Sequence, residues 1–449
     1  MTRCLVALVI TACALSAQSG GDPLDRARAR ILEAIDRLPR YTCTQTIDRT
    51  YFRQSRPDLK QHSCDQILAN HTNGLSKLEL TGTDRLRLDV EVAGGGYEVY
   101  SWPDGGPIDM ERLEAVTGED PIGTGAFGPF LINIFATDGV DLIAEGEQTI
   151  DGSPLLQYRY RVPLKASHYR VIARATTRTV PFDGRFWIHP VTAELVRLSV
   201  RTGELAPATG NCEATTTVDF TRARIGQGDY LLPLRGLLHV VRCDAAESEN
   251  VTSYGSCREF RGESTVRYDI PSDATDGDAG AAQRAPPEPF PAAIPITIAL
   301  TEPIDTGTSA AGDRVFGVIS RPVAAPRHRG ILASAGTRVR GRITALQHRF
   351  EPEPYFSITI AWEQMERNGR WAPLAARRDD PQVLLELRKL APPAYNATRV
   401  QSRRVPPRGG TLVFQTSAPV YVVKAGHTSH WITVAPPKVG KVTAPRPLD

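Results

Sequence analysis

Three groups of residues carry spacings that could do chemistry. Gly123, Gly125 and Gly128, in "IGTGAFGPFL", stand at the Gly-x-Gly-x-x-Gly spacing with which a strand-to-helix loop turns free amides toward a pyrophosphate. Such a loop needs a buried strand before it and a βαβ unit after it. The residues before it, "EAVTGEDP", read instead as a polar helix end and a turn, and residues 140–162 read as a hairpin about Asp151-Gly152. The preferred reading is a structural loop into a helix, or the mouth of a cavity. His427 and His430 invite a metal, but residues three apart on a strand point to opposite faces, so the pair chelates only in a turn, and no acidic or Cys ligand is near. Glu145 with Glu147, and Asp89 with Glu91, are carboxylate pairs of the kind that cleave glycosides. Flanked by arginines, they read better as a solvated charge ladder. The serines lack a Gly-x-Ser-x-Gly elbow. No catalytic residue, metal or cofactor is expected, and a hydrolase is the least favoured reading.

Cysteine chemistry depends on compartment. The N-terminus, "MTRCLVALVITACALSAQSG", has Arg3, an apolar stretch from Leu5 to Ala17, then small and polar residues. This is the layout of a secretory signal, too short to span a bilayer comfortably. Leu15-Ser16-Ala17 before Gln18 fits a signal-peptidase site. Ile10-Thr11-Ala12-Cys13 also fits a bacterial lipoprotein box, which makes a lipid anchor at Cys13 the alternative. No later stretch reaches the ~20 apolar residues of a membrane span. The expected location is therefore the periplasm or cell envelope. There, Cys43, Cys64, Cys212, Cys243 and Cys257 are disulfide candidates before they are nucleophiles. Cys43 and Cys64, close in sequence, are expected to pair. The other three are expected at one end of a sheet, with Cys212–Cys243 and Cys243–Cys257 both open and one thiol left over.

The elements that must position these residues are mostly strands. Residues 22–38 carry Leu24, Ala27, Ile31, Ala34, Ile35 and Leu38 near one helical face, with Asp22 as N-cap and Pro23 in the first turn. Further helices are expected at 64–72, 109–116 and 127–136. Elsewhere the period is two. In "RLRLDVEV" Leu86, Leu88, Val90 and Val92 face one way and charges the other; Gly94-Gly95-Gly96 turns the chain and "YEVYSW" returns. "LLQYRYRV" repeats the scheme, and "ELVRLSVR" again, with Leu195, Arg197, Ser199 and Arg201 on the outer face. "CEATTTVDFTRARI" and "YLLPLRGLLHVVRC" flank the turn "GQGD", and the polar "DAAESENVTSYGS" reads as a loop before the next strand. The result is one antiparallel sheet with a wet face and an apolar face.

Residues 271–291 are rich in Pro, Ala, Asp and Gly without apolar period, which reads as a linker. Short strands beyond it suggest a small all-β barrel or sandwich. The expected layout is a signal at 1–19, one domain at 22–270, the linker, a second domain at 292–436 and a frayed tail at 437–449. With 53 Lys plus Arg against 50 Asp plus Glu, the formal charge is +3, and no nucleic-acid partner is expected.

In "FWIHPVTAELVRLSV", residues 186–200, the chain resembles the periplasmic lipoprotein-sorting fold (LolA/LolB and MucB/RseB-like). That family ends a strand in Trp-hydrophobic-Asp-Pro-x-Thr before a tight turn into the next. Trp187, Ile188, Pro190 and Thr192 match, and His189 stands where the family has Asp. The resemblance, over roughly residues 24–270, implies an α+β, mainly β fold: a curved antiparallel half-barrel whose concave apolar face is covered by helices. It brings no functional residue with it.

The apolar face is the lead for function. Tyr97, Val99, Phe127, Phe130, Phe135, Tyr158 and Tyr160 are the candidate lining of a cavity between sheet and helices. The expected function is a non-enzymatic envelope protein that binds or senses an acyl-type apolar ligand or a lipoprotein. The alternative is a structural or interaction module docking on another envelope protein.

Overall fold

The computed structural model describes residues 22–55, 63–93, 97–105, 108, 122–173, 176–203, 205, 209–259, 288–324, 330–378 and 410–436. The expected signal, Cys13, the 94–96 turn, the helix at 109–116, most of the 271–291 linker and the 437–449 tail lie outside the described residues.

Three helices are described, where three of the expected four were placed. α1 (Pro23–Asp36) begins with Asp22 accepting the Leu24 amide at 3.0 Å, ahead of Pro23 in the first turn. α2 (Cys64–Thr72) opens on a capping box: the Ser63 hydroxyl accepts the Gln66 amide and the Gln66 side chain accepts the Ser63 amide. α3 (Pro129–Phe135) follows Gly128 and buries Phe130, Leu131, Ile134 and Phe135.

The strands before the linker are β1 (Tyr41–Gln54), β2 (Leu78–Ala93), β3 (Tyr97–Ser101), β4 (Asp141–Ile150), β5 (Ser153–Val162), β6 (Arg170–Ala173), β7 (Thr176–Thr179), β8 (Phe182–Ile188), β9 (Leu195–Thr202), β10 (Asn211–Ile225), β11 (Gly228–Arg242) and β12 (Glu247–Glu259). β6 and β7 pair only with each other among the described residues. The other ten form an antiparallel sheet in the order β4-β5-β8-β9-β10-β11-β12-β1-β2-β3. The sheet is not closed: β4 and β3 stand at its two ends. The β4–β5 hairpin turns on Asp151 and Gly152, with φ of 50° and 80°, the left-handed pair that suits a two-residue hairpin.

One face of β5, β8, β9 and β10 packs against α1 and α3, joining Ala27, Ile31, Phe130 and Phe135 to Tyr158, Phe186, Leu198 and Val218. Leu195 belongs to this buried face, at 1% exposure, and not to the outer face expected for it. A register shift at Trp187/Ile188 sets Ile188 opposite Leu195 and turns that residue inward.

The cysteines pair differently from expectation. Cys43 is bonded to Cys257 and Cys64 to Cys212, and Cys243 is the free thiol. The physical reason is strand length. From Cys43 to the end of β1 the chain is extended, a span of roughly 36 Å at about 3.3 Å per residue, so Cys64 on α2 lies at the far end of the sheet. The "polar loop" also proves to be strand. β12 starts at Glu247, opposite Val241 of β11, so Cys257 is carried away from Cys243 and beside the start of β1. There a register shift between Thr42 and Thr44 places Cys43 next to it.

Beyond the linker, strands Pro295–Leu300, Arg314–Ile319, Arg338–Arg349, Tyr355–Arg367, Gly410–Gln415 and Thr428–Thr433 enclose a core that includes Ile298, Trp362, Met365 and Trp431. Phe290, inside the expected linker, is buried in the same core. The two parts of the chain touch. Gln347, His348 and Arg349 pair with Asp84, Thr83 and Gly82 of β2, Arg87 forms an ion pair with Asp313, and buried Arg342 donates to the Pro103 carbonyl at 3.0 Å.

Candidate functional site

The glycine loop does hold an anion, but an internal one. The Gly125 amide donates to both carboxylate oxygens of Glu98, at 3.0 and 2.9 Å, and the Phe127 amide donates to one of them at 3.3 Å. The Tyr100 hydroxyl donates to the same carboxylate at 2.8 Å. Gly125 has φ +90°, and a Cβ there would sit 3.3 Å from the Phe130 ring, so the position requires glycine. Burial pushes the Glu98 carboxyl above its ordinary range, and these donors offset only part of that effect. Burial first, then the Glu98 charge, also raises the Tyr41, Tyr100 and Tyr254 phenols. The amides that a pyrophosphate would use are thus committed to the protein's own side chain.

The candidate lining residues separate into groups. Phe130, Phe135, Tyr158 and Tyr160 meet in one cluster together with Phe182 and Phe186, which the sequence reading missed. Phe135 meets Phe186 edge-on at 5.0 Å, Tyr158 stacks on Phe186 at 5.1 Å, and Phe130 lies 5.1 Å from Tyr169. These are the separations of packed aromatic pairs. Burial pushes the Tyr169 phenol up to about 12. Phe127 belongs to a neighbouring cluster, edge-on to Tyr41 and Tyr254 at 5.9 and 5.0 Å. Val99 is 43% exposed on β3. Tyr97 begins β3, and its side chain lies outside the described residues.

A groove of about 650 Å³ opens on the opposite face of the sheet, over β4, β5, β8, β9 and β10. Its walls carry Arg159, Arg161, Arg185 and Arg201 together with Asp141, Asp183 and Ile143. Strand register explains the gathering. Arg159 is paired with Arg185, Arg161 lies between Asp141 and Asp183, and Asp183 is paired with Arg201. Like charges opposite each other are unfavourable, and Glu145 compensates, 2.8 Å from Arg185 and 3.4 Å from Arg159. The Arg185 hydrogen bond is the main reason the Glu145 carboxyl is held below its ordinary range. Asp183 accepts two bonds from Arg201, both 3.0 Å. Arg161 has no ion-pair partner among the described residues. Gly184, paired with buried Tyr160 between the groove-facing Asp183 and Arg185, leaves room on the core side: a Cβ there would lie 1.9 Å from the Ser199 carbonyl oxygen and 2.8 Å from the Tyr160 hydroxyl, which donates to that carbonyl at 2.8 Å. Arginines on the outer face of three neighbouring strands were the available signal for this groove.

Two clusters have the donor types of metal sites: Cys64, Cys212 and Cys243, and His71, His239 and Glu247. In the first, the Cys243 sulfur lies 3.7 Å from Cys64 and 3.8 Å from Cys212, and burial raises its thiol. In the second, Glu247 is held below its ordinary range, because hydrogen bonds and charge from the two imidazoles outweigh its burial. His427 and His430 do not meet as ligands: His430 bonds to Thr297 and His427 packs edge-on to Phe414. At the family-like turn, His189 Nδ1 accepts the Val191 and Thr192 amides, each at 3.2 Å, as an aspartate oxygen would in the same place.

Among the described residues no helix is long and apolar enough to cross a membrane. No protein-family model matches the chain. No curated protein matches it either. Among solved structures, the chain is similar to a DUF1329 family protein from Desulfovibrio piger, at 12% identity over 54% of this chain and 96% of that one, with a TM-score of 0.26. It is similar to a domain assigned as an outer membrane lipoprotein-sorting protein from Vibrio parahaemolyticus, at 8% identity over 55% and 95% of the two chains, with a TM-score of 0.24. A third is the Mycobacterium tuberculosis lipoprotein LppX, at 12% identity over 53% and 97%, with a TM-score of 0.18. Each of these solved structures matches about half of this chain, and no residue role passes through the likeness.

Proposed function

We propose that the protein is an exported, non-enzymatic envelope protein that holds an acyl-type amphiphile, or the lipid part of a lipoprotein, by its anionic head in the groove over β5, β8 and β9. The observation that carries this reading is the groove itself, about 650 Å³ and lined by four arginines. That volume lies in the range of small-molecule sites. Arg161, without an ion-pair partner among the described residues, is the natural seat of a carboxylate or phosphate, and the arginine stems with Ile143 offer apolar wall. The signal-like N-terminus and two disulfides support export. In this reading the sheet serves as a half-barrel whose helix-covered face is core, and its other face is the working one. Native mass spectrometry of protein purified from its own envelope tests it. An adduct of acyl-chain mass, depleted in Arg161→Gln, is expected; bare protein in both preparations overturns the reading.

A specific observation favours a second reading, the interaction module. β4 is exposed along nearly its whole length and pairs only with β5 among the described residues, so its outer edge can take a strand from an envelope partner. Bare protein in the mass spectrum, with a partner captured by cross-links to β4, favours this alternative.

A further inference from the structure

At the other end of the sheet from the β1–β12 disulfide, three elements bring metal-ligating side chains together. His71 stands in the last turn of α2, His239 lies along β11, and Glu247 is the first residue of β12. His71 Nδ1 donates to one Glu247 oxygen at 3.0 Å and His239 Nε2 to the other at 2.8 Å. The ligand atoms all lie within 4.8 Å of one another, and the two imidazole rings stack at 5.1 Å. Glu247 forms the floor, with its side chain 4% exposed, and His71 forms the rim at 41%.

We infer that His71, His239 and Glu247 form a binding site for one zinc-class divalent cation. Two imidazoles and one carboxylate are a borderline-soft donor set that suits zinc and its neighbours over magnesium or calcium, which prefer all-oxygen cages. Three protein ligands leave a fourth position, here toward the solvent side marked by His71. Ligand atoms on a tetrahedron with bonds of about 2.0–2.1 Å stand roughly 3.3 Å apart. His71 Nδ1 and His239 Nε2 bond to different oxygens of Glu247, and the three ligand atoms lie within 4.8 Å of one another, so they need to draw in by no more than about 1.5 Å as a cation replaces the bridging protons.

The site is also built in advance of the ion. The Cys64–Cys212 disulfide ties α2 to β10, and Ile67 packs with Cys212 and Val241, so the helix bearing His71 is fixed against the sheet. Glu249 lies opposite His239 in the β11–β12 register, on the same face as Glu247. Glu213 stands two residues before Thr215, the β10 partner of His239. This concentration of negative charge favours a cation. In the fold, the ion would clamp α2 to β11 and β12 beside the disulfide that already clamps it to β10.

The experiment is zinc titration by calorimetry on the full chain, with its disulfides intact and Cys243 alkylated by iodoacetamide so that no sulfur competes. One zinc per chain is expected, with magnesium giving no heat at the same concentration. His71→Ala, a change at the surface that leaves the core untouched, is expected to weaken zinc at least tenfold, and His239→Gln likewise. Both variants should keep the wild-type far-ultraviolet circular dichroism, and zinc should raise the melting temperature of the wild type alone. No zinc binding by the wild type, or binding left unchanged by both substitutions, overturns the proposal.

Discussion

Replacing Glu98 probes whether an internal anion holds the glycine loop. Glu98→Ala removes the acceptor of the Gly125 and Phe127 amides and of the Tyr100 hydroxyl. Leaving a buried donor unsatisfied costs about 1–3 kcal/mol. The Phe127 bond, long at 3.3 Å, counts least. The expected loss is about 3–5 kcal/mol, less whatever an entering water restores. Glu98→Gln keeps an oxygen for the loop amides and removes only the charge. Because burial raises the folded-state pKa of this carboxyl above its unfolded value of 4.5, its contribution to stability is fully present below that value. The contribution is lost as pH rises through the folded-state pKa. The glutamine variant has no such loss, so the wild type should outlast it most in acid, with the gap narrowing toward neutral pH. Urea midpoints measured between about pH 4 and pH 8 read this directly. Wild-type stability in Glu98→Ala, or a gap between wild type and Glu98→Gln that does not change with pH, would refute the reasoning.

Other consequences are as accessible. Burial and the neighbouring Asp244 raise the Cys243 thiol, so alkylation should be slow near neutral pH and quicken about tenfold per unit as pH rises; fast, pH-independent labelling would contradict this. Gly184→Ala forces a Cβ to within 1.9 Å of the Ser199 carbonyl oxygen and should cost about 1–3 kcal/mol, seen as a lowered melting temperature; an unchanged value would show that β8 and β9 do not approach as closely as described. Protease is expected to cut within 271–291 and leave two resistant fragments that elute together, because β2 pairs with the strand Arg338–Arg349 and Arg87 with Asp313. Separate elution would show that those contacts do not hold the parts together.

Local signals were legible and long-range ones were not. Capping by Asp22 and the period-two runs located the first helix and the strands, because those signals act over a few residues. Cys43 looked paired with Cys64 because separation in sequence is a poor guide once a strand as long as β1 lies between. "ESENVTSYGS" looked like loop because Ser248, Asn250 and Thr252 are polar, yet they are buried between β11 and β1. Phe130, Phe135, Tyr158 and Tyr160 were read as the lining of a cavity, and alternation cannot distinguish a cavity from a core. Phe182 and Phe186, arriving from β8, complete that packing. Glu98 was invisible as a loop anchor because its donors come from residues 125 and 127, beyond the next helix expected in sequence. The arginine groove was hidden for a related reason. Taken strand by strand, Arg159, Arg185 and Arg201 are an ordinary wet face, and only the register of β5, β8 and β9 makes them one wall.

The central claim is that the groove takes an anionic amphiphile, and titration with a fluorescent single-chain fatty acid below its micelle concentration tests it most directly. Saturable binding is expected, weakened as salt screens the arginines. It should weaken at least tenfold in Arg161→Gln and be far poorer for a neutral amphiphile of the same chain length. Binding that is absent, or that ignores salt, headgroup charge and Arg161 alike, would contradict the account.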